Sequence, residues 1–145
     1  GIAIGSLSNS KTKVYVKVPI TKIGVEAANV LIKSDIPITF TACYEAKQIL
    51  IAASVGATYI APYLGRINDE GRNGTTEVLK MGNILNGTSS KCKILVASIR
   101  SCREINYLAT NGITTFTISS KIANDLFYSN ETLKASEAFE KDSNS

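Results

Sequence analysis

"KVYVKVPIT", residues 13–21, decides how the rest of the chain is read. Its valines, tyrosine and isoleucine are the material of a buried strand, yet Lys17 stands in the middle of them. An ammonium group inside such a strand is costly unless it reaches water or has a chemical task. Strand alternation puts Val14, Val16 and Val18 on one face and Tyr15 with Lys17 on the other. Two readings are open on these residues. An edge-strand lysine that snorkels into water guards against aggregation. A lysine enclosed by apolar side chains is disfavoured as a cation, and the neutral amine is a nucleophile for Schiff-base chemistry.

Four more apolar runs follow, at 36–41 "IPITFT", 58–63 "TYIAPY", 92–98 "CKILVAS" and 113–118 "ITTFTI". Most lack strict alternation, as expected of parallel strands covered on both faces. Helical patterns separate them. Residues 23–33 space Ala27, Ala28, Leu31 and Ile32 for one face, and 45–55 do the same with Ile49, Leu50 and Ala53 before Gly56. A helix over 75–86 follows the glycine-rich loop "NDEGRNG". Ser101 and Glu104 form a capping-box pattern opening a helix that stops at Gly112, and helices over 120–128 and 131–141 finish the chain. Such alternation predicts an α/β fold of right-handed βαβ units on a parallel sheet. The expected organisation is a remnant helix or linker at 1–12, one domain at 13–142 and a frayed tail at 143–145.

Composition removes several function classes. The 145 residues carry a net charge of +4, with the lysines scattered, so no clustered basic surface for nucleic acid is expected. There is no histidine, which excludes Ser-His and Cys-His catalysis. Cys43, Cys92 and Cys102 form no CxxC, so no metal or redox site is expected, and the setting reads as reducing and cytoplasmic. The uncharged stretch 48–65 contains glycine, proline and hydroxyl residues and reads as helix, turn and strand rather than a membrane span.

Catalytic groups in parallel sheets gather at the carboxyl ends of strands. Lys17, Thr41, Tyr63, Arg66, Ser98 and Arg100 all stand there. A phenol such as Tyr63 passes protons directly or through water, and Thr41 is placed to hold that water. Arg66, Ser98 and Arg100 have the donors of a phosphate site, since guanidinium forks bind phosphate bidentately and a hydroxyl adds one more bond.

The stretches "VYVKVPIT" (14–21), "ITFTACY" (38–44), "ASVGATYIAPYLGRIND" (53–69) and "ILVASIRS" (94–101) resemble, in order and spacing, the transaldolase and fructose-6-phosphate aldolase family. The likeness runs from about residue 9 to residue 140. It implies a cofactor-free and metal-free class I aldolase on a (β/α)8 TIM barrel. Lys17 matches the Schiff-base lysine, Thr41 and Tyr63 the residues that position the catalytic water, and Arg66, Ser98 and Arg100 the grip on a sugar phosphate. Tyr63 follows the fructose-6-phosphate aldolase branch, whereas "LGRIND" looks more like the transaldolase version.

The five strands correspond to the fourth to eighth of that barrel, so the fold expected is a partial TIM barrel with the first three βα units absent. With them go an acidic residue, an Asn-containing motif and a polar residue of the family's relay. Asp69 and Glu70 stand in the loop after Tyr63, too far along to replace the acid. Two open edges and an uncovered interior face predict a homo-oligomer. The competing reading is a non-catalytic half-barrel that binds sugar phosphate or only self-assembles. A doubly wound nucleotide-binding domain would need a glycine-rich turn after its first strand, and "PITKIGVEA" offers one glycine.

Overall fold

The computed structural model describes residues 1–9 and 11–143. After a single-turn helix α1 (Ile2–Gly5), strands and helices alternate: β1 (Val16–Pro19), α2 (Lys22–Lys33), β2 (Ile38–Cys43), α3 (Gln48–Val55), β3 (Tyr59–Pro62). Then come α4 (Leu64–Asp69), α5 (Gly74–Asn86), β4 (Lys93–Ile94), α6 (Cys102–Thr110), α7 (Ser120–Asp125) and α8 (Asn130–Ser143).

Local sequence explains most boundaries. Thr21, Asn73, Ser101 and Ser119 each cap a helix N-terminus with a side-chain oxygen, and Ser101 with Glu104 completes the expected capping box. Helix α2 ends in a Schellman motif without glycine. Asp35 takes φ 56°, its N–H donates to Ile32 O, and Ile36 N–H donates to Leu31 O. Aspartate tolerates this left-handed conformation better than most residues.

The four strands are parallel and lie in the order β1-β2-β3-β4. Helices α2, α3, α5 and α6 pack on one side of the sheet, as right-handed crossovers between consecutive neighbours require. That side is dry. Val16, Val18, Ile38, Phe40, Ile60 and Ile94 pack there against Ala28 and Leu31 of α2, Ile49 and Ala52 of α3, Val78 and Met81 of α5, and Leu108 of α6. A doubly wound sheet reverses its strand order, and this one does not, so the fold is an arc of a barrel and not a nucleotide-binding sheet.

Beyond shifts of element ends, such as β1 starting at Val16 and α3 at Gln48, the sequence reading and the structure differ along the later part of the chain. The runs at 92–98 and 113–118 form little ladder: Tyr63 pairs with Ala97 and Val96 with Phe116 through isolated parallel bridges. The fifth run therefore sits where expected but contributes a bridge rather than a strand. The segment after Tyr63 is helix α4 rather than loop, because Leu64 N–H and Gly65 N–H find partners in Ala97 O and Ser98 O, 3.0 and 2.9 Å away. Helix α8 continues through Lys141, Asp142 and Ser143, with Lys141 complementing the carbonyl end, while Asn144 and Ser145 lie outside the described residues.

Candidate active site

Register fixes which side chains share the face away from the helices. Lys17 pairs with Thr39, Thr39 with Tyr59, and Tyr59 with Lys93, so one row crosses all four strands. Thr41 lies two residues beyond Thr39, towards the carboxyl ends. Between Phe40 and Cys43 strand β2 carries one residue more than β3, and Ala42 takes φ 54° to accommodate it. Such a bulge re-aims its neighbours, and here it accompanies the contact of Thr41 with the end of β3.

Thr41 and Tyr63 meet there. Thr41 Oγ1 and Tyr63 Oη are 2.8 Å apart, and either can donate. Thr41 is buried and Tyr63 half-buried. The Tyr63 ring is held by Tyr44 edge-on at 5.8 Å and by the Arg66 guanidinium over its face at 4.7 Å. Tyr44 is steadied in turn: Arg72 donates to its carbonyl at 2.9 Å and to Glu45 at 2.8 Å, while Glu77 accepts from Ala46 N–H at 2.7 Å. Burial works against the Glu77 anion, yet that N–H together with Lys80 and Arg72 holds its carboxyl below the usual range.

The predicted phosphate residues form a second group at the same rim. Ser98 takes φ 60°, and its carbonyl accepts from Gly65 N–H. A Cβ on Gly65 would stand 2.3 Å from Ser98 O, 2.7 Å from Arg100 Nε and 3.0 Å from Ser98 Oγ. Glycine at 65 is therefore what lets strand end, helix and arginine converge. Arg66 is exposed and extends over Tyr63. Arg100 is turned to Asp69 in a bidentate ion pair.

Of the two readings open for Lys17, the structure shows the one in which the lysine reaches water. It is exposed, on the outermost strand, and no hydrogen bond or ion pair holds it among the described residues. The face it shares with Tyr15 and Tyr59, whose rings meet edge-on at 5.5 Å, lies outside the helix-packed core among the described residues. The valines around Lys17 point to the helix side, as the alternation predicts, and leave the lysine in water.

Sequence reasoning missed Tyr44, Gly65, Asp69 as a partner of Arg100, and Arg72. Tyr44 and Gly65 were within reach, as both adjoin strand ends already singled out. The Arg100–Asp69 pair spans 31 residues and leaves no local signal. Among the described residues no group of side chains is suited to hold a metal ion, and no helix is long and apolar enough to cross a membrane.

Comparison with known proteins gives a consistent result. The sequence model of the family described as Transaldolase/Fructose-6-phosphate aldolase matches residues 2–145. A probable transaldolase of Bartonella henselae is 33% identical over 136 residues, covering 94% of this chain and 62% of that protein. One of Chelativorans sp. is 34% identical over 133 residues, covering 92% and 61%. The chain thus spans about six-tenths of the length of these curated relatives. Among solved structures, mandelate oxidase with benzoyl-formic acid aligns at a TM-score of 0.49 and 19% identity, covering 65% of this chain and 28% of that one.

Proposed function

Since the chain belongs to the transaldolase/fructose-6-phosphate aldolase family, we propose that its rim is the phosphate-facing half of a Schiff-base aldolase site acting on ketose phosphates. The observation that carries this reading is the 2.8 Å contact of Thr41 with Tyr63, on the sheet face that also bears Lys17.

In this reading the Lys17 amine attacks the ketone carbon of a ketose phosphate. The carbinolamine loses water to an iminium, which draws electrons from the neighbouring C–C bond as it breaks. A hydroxyl proton of the substrate leaves as the aldehyde forms, and a dihydroxyacetone enamine stays on the lysine. The Tyr63 phenol, coupled to Thr41, is the group through which these protons pass, directly or by one water. Arg66 and Ser98 hold the phosphate, with Arg100 as the third donor. Water releases the three-carbon unit in an aldolase, and a second aldehyde accepts it in a transaldolase.

The exposure of Lys17 favours a second reading for the 145 residues taken alone. In that reading the chain by itself binds sugar phosphate without turning it over. Catalysis then needs a further segment over the open face and the outer edge of β1, from the same polypeptide or from another copy. One assay separates the readings. Glyceraldehyde 3-phosphate release from fructose 6-phosphate, abolished in Lys17→Met, supports catalysis by this chain. Binding of the ketose phosphate without release supports the second reading, and neither release nor binding contradicts both.

A further inference from the structure

The group assigned above to phosphate already holds an anion. Arg100 donates through Nη1 and Nη2 to the two carboxylate oxygens of Asp69, the last residue of α4. The Arg100 hydrogen bond first, then the charges of Arg100 and of Arg66, hold the Asp69 carboxyl below the usual carboxylate range. The Arg100 fork offered to a substrate phosphate therefore already holds a carboxylate of the protein itself. Glu104 also lies near Arg100, but its carboxylate is occupied by the backbone N–H groups of Arg100 and Ser101, at 2.8 and 3.1 Å. It completes the cap of α6 and leaves the guanidinium to Asp69.

We propose that Asp69 is an internal competitor for the phosphate site, occupying the Arg100 fork in the free protein until a phosphoryl group displaces it. This rests on the assignment of Arg66, Ser98 and Arg100 as the grip. Carboxylate and phosphate present the same pair of oxygens to a guanidinium fork, so one replaces the other without rebuilding the site. The side chains of Arg100 and Asp69 are 55% and 51% exposed, which keeps the pair weak and exchangeable. Arg100 reaches Asp69 across Gly65, where the missing side chain leaves room beside Nε and Ser98 Oγ. Displacement thus requires only that the Asp69 carboxylate swing away from an arginine already beside Ser98.

The test is titration of the full chain with inorganic phosphate at low ionic strength and near-neutral pH, followed by calorimetry. Asp69→Asn should tighten binding about 3–10-fold by removing one like charge from the site. Asp69→Glu, which keeps the competitor, should stay close to the wild type. Adding Arg100→Gln to Asp69→Asn should erase the gain. A loss of folding cannot raise affinity, so the sign separates competition from a structural role. Unchanged or weaker binding in Asp69→Asn overturns the proposal. If Arg66→Gln still weakens binding in that case, the grip stands and only the competitor falls. If neither wild type nor Asp69→Asn binds phosphate, the grip assignment falls as well.

Discussion

The two faces of this sheet are built from alternate residues of the same strands, and only one of them is finished. Val16, Val18, Ile38, Phe40, Ile60 and Ile94 are sealed by helices. One position away, Lys17 stands in water, with Tyr15 at 36% exposure beside it. The difference separates stability from chemistry. Helices cover one face of the sheet, whereas the face bearing Lys17 lies outside the helix-packed core among the described residues. At the rim, by contrast, Thr41, Tyr63, Tyr44 and Arg66 are already assembled by side-chain contacts.

The comparison breaks most readily on its dry side. Phe40 is fully buried among β-strand and helix side chains, so Phe40→Ala should cost about 3–5 kcal/mol in urea unfolding. A much smaller loss would mean that the helix layer is loosely packed. At the rim, Gly65→Ala drives a Cβ to within 2.3 Å of Ser98 O and should cost about 1–3 kcal/mol. It should also weaken phosphate binding, because Arg100 and Ser98 are pushed apart.

Tyr63→Phe removes the hydrogen bond to Thr41 and should cost about 0.5–1.5 kcal/mol. Combined with Thr41→Val, a double-mutant cycle should return a coupling of the same size. No coupling would mean the contact is incidental. In the core, burial pushes the Cys43 thiol up to about 12 and the Cys92 thiol up to about 11, from an ordinary 9.0. Below pH 9 both the folded and unfolded chains hold these protons, and the thiols contribute nothing to pH dependence. Above it the unfolded chain releases them first, so stability should fall as pH rises from 9 towards 11 and 12. Thermal midpoints of Cys43→Ala/Cys92→Ala should fall less steeply over that window. The smallest change in stability is expected at Lys17→Met, within about 0.5 kcal/mol, because its side chain is exposed.

What could be read from sequence divides along the same line. The alternation of strands and helices, the capping box of Ser101 with Glu104 and the helix ends at Gly56 and Gly112 follow from local residue chemistry, and they appear as read. Helix α4 was hidden because Gly65 argues against a helix locally. Its first N–H groups are satisfied by carbonyls more than thirty residues away, at Ala97 and Ser98. The short ladder at 92–98 was also illegible, since apolar composition does not say whether a neighbouring strand pairs along its length. Thr41 and Tyr63 could be named from strand ends, but their contact depends on the bulge at Ala42. The exposure of Lys17 is a property of what covers the sheet, and no residue near it encodes that cover.

Borohydride trapping on Lys17 tests the central claim most directly. The purified chain is incubated with fructose 6-phosphate or dihydroxyacetone, reduced, digested and mapped by mass spectrometry. If the open face is the chemical face of this molecule, a reduced adduct appears on the peptide carrying Lys17. It disappears in Lys17→Met while the chain stays folded. A folded, phosphate-binding chain that gives no adduct, beside a full-length relative that does, would contradict catalysis by these residues alone and leave Lys17 an exposed lysine on an unfinished barrel.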